Sequence, residues 1–181
     1  MTVYVTAKDG TGAASEQMTA RGVVFLHSCP RALSPHLEWA LAAVFGVEVH
    51  IDWAQQPISP GCVRAEIIWT GAQGTGARLA SALLAFSQVH YEVTEDGIPG
   101  REGERFAATP RLGLFRANIG PFGDIMVHEE RLRTALARSR ATGESIIEEI
   151  SRLIGSPWDD ELEPFRSVHE GSTVRLMHQV V

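Results

Sequence analysis

The run from residue 21 to residue 69 constrains this chain more than any other stretch. Residues 23–27 are Val-Val-Phe-Leu-His, a continuous apolar run of the kind that fills a central strand. Pro30 breaks it. Ser34-Pro35 then supplies a cap residue followed by proline in the first helical turn, a strong helix start. Leu33, Leu37, Ala40, Leu41, Val44 and Phe45 share one face at helical spacing, and Gly46 stops the helix. Val47, Val49, Ile51 and Trp53 alternate with Glu48, His50 and Asp52, which predicts a half-buried strand. Beyond a loop over residues 55–61, Val63, Ala65, Ile67 and Trp69 alternate with Arg64, Glu66 and Ile68, a second strand of the same type. Such a chain folds as a sheet with helices packed on its apolar face.

Residues 71–76, Gly-Ala-Gln-Gly-Thr-Gly, lead into a helix carrying Leu79, Leu83, Leu84 and Phe86, and residues 89–94 alternate as a fourth strand. The order β-α-β-β-α-β predicts an α+β fold with a ferredoxin-like core. Its two helices take the Val, Ile, Tyr and Trp side chains, while Glu48, His50, Asp52, Arg64, Glu66, His90 and Glu92 line the other face. A hairpin symmetric about its loop puts Asp52 across from Arg64 and His50 across from Glu66. In the second half, residues 105–108, 111–118 and 124–127 read as short strands, with a turn at 120–123. A helix follows over about 128–140, with Glu129 and Glu130 in its first turn and Arg138 and Arg140 in its last, as the helix dipole favours. Ile146, Ile147, Ile150, Leu153 and Ile154 mark a further helix, Ser156-Pro157 starts another, and residues 173–181 read as a strand that docks back. The expected organisation is a flexible extension over 1–17 and one α+β domain over 18–181. Within that domain, 18–96 is the ferredoxin-like core and 97–181 is a packed extension carrying the β-hairpin and helices.

Composition narrows the function classes. The net charge of −6 gives no general attraction to nucleic acid or anionic membrane. Cys29 and Cys62 form neither a disulfide framework nor a zinc set, which suits a reducing cytoplasm. No apolar run approaches the roughly 20 residues a membrane helix needs, and no secretion signal is visible. No metal or cofactor is expected.

Four stretches could carry chemistry. Cys29 with His27 or His36 resembles a thiol nucleophile near imidazole and a helix start, which would lower the thiol's pKa. The plainer reading is a small residue in a tight loop. Gly74, Thr75 and Gly76 open a helix whose free N–H groups suit an anion, with Arg78 nearby. The turn has neither the P-loop lysine nor the dinucleotide fingerprint. The sheet-face residues His50, Arg64 and Glu66 read as a solvated or partner-covered surface. Trp158, Asp159, Asp160, Glu161, Phe165 and Arg166 are the most distinctive polar-aromatic segment, either a partner site or a capped helix with its aromatics in the core.

Four segments recur in order as a family pattern: Arg21-Gly-Val-Val-Phe-Leu-His-Ser, Ser34-Pro-His-Leu-Glu-Trp-Ala-Leu41, Gly74-Thr-Gly-Ala-Arg-Leu-Ala-Ser-Ala-Leu83 and Trp158-Asp-Asp-Glu-Leu-Glu-Pro-Phe-Arg166. On these the chain resembles the actinobacterial domain of unknown function 3145, over about residues 18–181. The resemblance brings no catalytic residues with it. It implies an accessory role beside an acyl-CoA carboxylase or another enzyme of fatty-acid synthesis. Two other expectations stand beside the accessory protein: an acyl- or thioester-processing enzyme using Cys29, and a sensor of acyl-CoA or nucleotide using the glycine-rich turn. A free sheet edge would also allow a homodimer.

Overall fold

A computed structural model describes residues 2–8 and 19–167. The strands are β1 (Thr2–Thr6), β2 (Thr19–Pro30), β3 (Ala54–Gln55), β4 (Cys62–Ala72), β5 (His90–Glu95), β6 (Gly103–Thr109), β7 (Gly113–Ile119) and β8 (Ile125–Met126). The helices are α1 (Ser34–Phe45), α2 (Thr75–Leu83), α3 (Glu129–Thr142), α4 (Ile146–Ile154) and α5 (Ser156–Arg166). All strands join one sheet in the order β1-β4-β2-β5-β6-β7-β8, with β3 on β4; β1 and β4 run parallel and every other pair is antiparallel. The fold is therefore mixed α+β, built on a mostly antiparallel sheet.

Strand alternation sorts the core as the pattern predicts. Val24 and Leu26 of β2, Ala65, Ile67 and Trp69 of β4, and Tyr91 and Val93 of β5 are buried together with Leu37, Leu41 and Phe45 of α1 and Leu79 and Leu83 of α2. Gly22 is needed where β2 crosses Trp69. A Cβ there would lie 1.9 Å from the Thr94 carbonyl oxygen and 2.7 Å from the Trp69 ring.

The expected strand over 47–53 does not form. Val49 and Ile51 are buried as their alternation requires, but the backbone is used differently. The Glu38 carboxylate, reaching out of α1, accepts the Ile51 N–H at 3.2 Å and the Trp53 indole N–H at 2.8 Å. Only Ala54 and Gln55 pair with β4, so Ala54, not Asp52, lies across from Arg64. The edge of β4 at Glu66 is taken by Thr2, in a segment read as part of a flexible extension. The sheet thus gains a parallel edge strand where a hairpin partner was expected, and it is wider than a four-stranded unit. Its β6-β7-β8 meander carries the short strands anticipated in the second half.

Helix α1 also starts differently. A 3-10 turn over Arg31–Leu33 leads into it, Ser34 is its first residue, and the Ser34 hydroxyl donates to the Arg31 carbonyl oxygen at 2.8 Å instead of capping the helix. The strand expected over 173–181 lies outside the described residues.

Candidate functional site

The outer sheet face, opposite α1 and α2, is not left open along its length. All seven residues of β6 are buried, which requires cover on both sides. The second cover is α5. Its Leu162 packs with Ala107, Phe115 and Ala117. Trp158 lies against Phe115 with ring centroids 5.2 Å apart, and its indole N–H donates to the Gly113 carbonyl at 2.9 Å. Gly155, with φ of 84°, makes the turn from α4 into α5, and a Cβ there would meet the Phe115 ring at 2.7 Å.

Under the C-terminal half of α5 lies a buried charge cluster. Alternation points Glu92 of β5, paired with Phe25 of β2 and Ala107 of β6, to this face, where its carboxylate meets His27 and Arg105. Glu92 Oε1 accepts from Arg105 Nη2 at 2.7 Å, Arg105 Nε at 3.2 Å and Arg166 Nη2 at 2.6 Å. Its Oε2 accepts from Arg166 Nε at 2.9 Å and pairs with His27 Nε2 at 2.7 Å. Asp159, one face of α5 with Arg166, accepts from Arg166 Nη2 at 2.7 Å and from Arg105. Two carboxylates and two guanidiniums thus neutralise one another, with Glu92 and both guanidiniums largely shielded from water and Asp159 at the cluster's more open side. Burial alone would raise the Glu92 pKa. The hydrogen bond and charge of His27, with Arg166 and Arg105, outweigh it and hold the carboxyl well below the usual range. Glu92 is therefore ionised, and the His27 Nε2 facing it carries a proton.

At the margin, His90 packs tilted against Phe165, ring centroids 4.7 Å apart, and faces Glu161 at 3.8 Å, while Arg111 reaches Glu161 at 2.8 Å. Burial lowers the His90 pKa, and Glu161 partly offsets this. The proposed partner segment is thus largely turned inward: Trp158, Asp159, Glu161, Phe165 and Arg166 all hold α5 to the sheet. Asp160 alone of the six is exposed.

The other sequence candidates separate. Cys29 is fully buried in the main apolar core, and burial, with Cys62 nearby, pushes its thiol up to about 12. That is the reverse of an activated nucleophile. Its sulfur donates to the Pro30 carbonyl, His27 is held by Glu92, and His36 is exposed on α1. At the start of α2, the N–H groups of Gly74 and Gly76 each donate at 2.8 Å to Glu95. The side chain of Glu95 thus fills the place an anion would occupy. Arg78 donates to the Thr75 hydroxyl, which donates to the Ala72 carbonyl. His50 is exposed beside Glu48, Glu66 is buried and bonded to Thr2, and Arg64 is half-buried on the outer face. Among the described residues no group of three metal-ligating side chains could hold an ion.

Arg105, Glu95 and Glu38 organise these sites and escaped the sequence reading. Arg105 had one signal: a charge beside Phe-Ala-Ala, in a strand short of polar residues, needs a buried partner. The remaining surface feature is apolar. Helices α3 and α4 form a hairpin whose buried polar member is Glu149, ion-paired with Arg138 and Arg152. Ala135 is buried and Ile146 and Leu153 are half-buried, but five large aliphatic residues face outward: Leu132 and Leu136 on α3, and Ile147, Ile150 and Ile154 on α4, are between 38% and 73% exposed.

No helix among the described residues is long and apolar enough to cross a membrane. No curated protein and no solved structure matches the chain. A family model matches residues 23–179, most of the sequence, with three of the recurring segments whole and the first from Val23 on. The chain belongs to the family described as Protein of unknown function (DUF3145).

Proposed function

We propose that this chain is a non-catalytic accessory protein that docks on an enzyme through its α3–α4 hairpin. The observation that carries the reading is the outward aliphatic rows. On α4, Ile147, Ile150 and Ile154 recur at the spacing of one helical face, and on α3 Leu132 and Leu136 stand one turn apart. A helix normally turns such a face to the core. Here the hairpin buries Glu149 and leaves these five aliphatic side chains to solvent, which suits a surface covered by another protein. The cytoplasmic partner class to test first is the one the family resemblance implied: an acyl-CoA carboxylase or another enzyme of fatty-acid synthesis. The saturated state of the Glu92 cluster, the buried thiol of Cys29 and the filled turn at Gly74–Gly76 support binding over catalysis.

The experiment is purification of the tagged full chain from the cells that make it, in parallel with a Leu136→Glu/Ile147→Glu variant. A stoichiometric carboxylase or synthase subunit that accompanies the wild type and is lost from the folded variant is the expected result. Equal recovery with both chains would remove the hairpin as the docking site.

A further inference from the structure

Strand β1 forms one edge of the sheet. It runs parallel to β4 from Thr2 beside Glu66 to Thr6 beside Thr70, and among the described residues no strand pairs with its other side. The opposite edge, β8, is only two residues long. Ala7, just past β1, donates its N–H to the Thr70 carbonyl at 2.8 Å. Successive residues of a strand aim their backbone groups to opposite sides, so Val3 and Val5 also bond to β4. Thr2, Tyr4 and Thr6 therefore aim their N–H and C=O groups away from the sheet. Natural edges are blunted by charged residues, proline or a bulge. The strand Thr-Val-Tyr-Val-Thr has none of these, and it reads the same in both directions about Tyr4.

We propose that β1 is a homodimer interface, in which two copies of this chain join edge to edge, antiparallel about a two-fold axis at Tyr4. A two-fold interface must be self-complementary, with residue i meeting j wherever j meets i. The strand meets that demand in sequence and backbone together. With the two Tyr4 residues directly opposite, Thr2 meets Thr6 and Val3 meets Val5 on both sides of the axis. The outward-pointing residues then face one another, and each such pair exchanges N–H and C=O as an antiparallel ladder requires. An axis between two residues would instead set outward-pointing groups against inward-pointing ones. The side chains agree with this register. Tyr4 is 76% exposed, and a second Tyr4 beside it would cover the ring. Val3 and Val5 pack on the main core, so their pairing continues the apolar layer across the axis. Aromatic pairs and threonine pairs are favoured across antiparallel strands, and no charge in β1 meets its own copy. Main-chain hydrogen bonds carry the affinity in strand addition, so this short edge makes a dissociable dimer. The inference is independent of the docking reading, since it takes no residue of the α3–α4 hairpin.

Sedimentation velocity over a range of concentrations measures the mass of the full chain as wild type, Tyr4→Lys and Tyr4→Pro. Tyr4→Lys sets like charges opposite one another at the axis, at a position already open to solvent in the single copy. Tyr4→Pro removes an N–H that β4 does not use; Tyr4→Lys keeps the test valid if proline disturbs the strand. The expected result is a concentration-dependent wild-type dimer whose dissociation constant rises roughly tenfold or more in each folded variant. Tyr4→Cys should also cross-link into a covalent dimer under mild oxidation, because residues opposite at the axis are within disulfide reach. The wild type, with only Cys29 and Cys62, is its control. The proposal is overturned if the wild type stays monomeric at millimolar concentration, or if Tyr4→Lys dimerises as well as wild type. A dimer that Tyr4→Cys fails to cross-link, or that Leu136→Glu/Ile147→Glu abolishes instead, overturns it as well.

Discussion

Replacing Glu92 with glutamine tests what holds α5 to the sheet. The substitution keeps the size of the side chain and removes the charge at the centre of the cluster. Glu92 takes part in five hydrogen bonds, four from the guanidiniums of Arg105 and Arg166 and one with His27. Glutamine offers one acceptor oxygen and adds two donors that face other donors. Among the described residues, Asp159 is then the only acid within reach of both guanidiniums in the cluster. Breaking a buried ion pair by removing one partner costs about 3–5 kcal/mol, because the other charge stays buried. On a chain of this length that is a fall of roughly 6–20 °C in melting temperature. Urea denaturation at pH 7 measures it. A loss below about 1 kcal/mol would mean that the cluster behaves as a solvated surface pair, and the reasoning would fail. The same physics makes a converse expectation: Glu92→Leu combined with Arg105→Met and Arg166→Met should recover most of the loss, since apolar groups need no counter-charge. The Glu92 contribution is also pH-dependent. Its folded pKa lies below the unfolded value, so the stabilisation is present above the ordinary glutamate range and is lost as pH falls through the folded value. In Glu92→Gln that part of the acid sensitivity should be missing.

Three further expectations concern other joints of the fold. Gly155→Ala meets both an unfavourable φ and the Phe115 ring at 2.7 Å, and should cost about 2–4 kcal/mol in urea denaturation; a neutral result would mean α5 can shift off Phe115 freely. Glu95→Ala removes two charge-assisted bonds to the N-terminus of α2, for a loss of about 1.5–3 kcal/mol, and added phosphate should restore part of it if the vacated turn accepts an anion. Burial raises the Glu66 pKa, so its folded form holds a proton more tightly than the unfolded chain does. Stability is then greatest below the unfolded value and declines as pH rises through the folded one. Glu66→Gln should therefore flatten the pH profile across that window and be more stable than wild type at neutral pH.

How far the sequence reached depended on whether a signal was local. The buried faces of β2, β4, β5, α1 and α2 were legible because period-two and helical spacing are properties of neighbouring residues. The stretch 47–53 shows the limit. Alternation told which side chains are buried, but whether the backbone pairs with β4 was decided by Glu38, thirteen residues from Ile51, and by a competing edge strand at Thr2–Thr6. The charge cluster lay further out of reach. His27, Glu92, Asp159 and Arg166 each stood out individually, yet Glu92 and Arg166 are 74 positions apart and meet only because α5 crosses the sheet. The aromatic-acidic segment of α5 was open to two readings, a capped helix with its aromatics in the core or a contact surface, since composition does not say which way a helix faces. The helical pattern in α4 was clear but not its direction: the buried polar residue is Glu149, and Ile147, Ile150 and Ile154 look outward.

Site-specific photo-cross-linking in the cells that make the protein measures the docking reading most directly. A photoreactive phenylalanine analogue is placed at Ile147, the most exposed aliphatic residue of the hairpin, and separately at Asp160, an exposed position of α5. The expected result is a discrete adduct with a carboxylase or fatty-acid-synthesis subunit from position 147 and none from position 160. Adducts from position 160 alone, or none from 147 in a chain that melts like wild type, would contradict it.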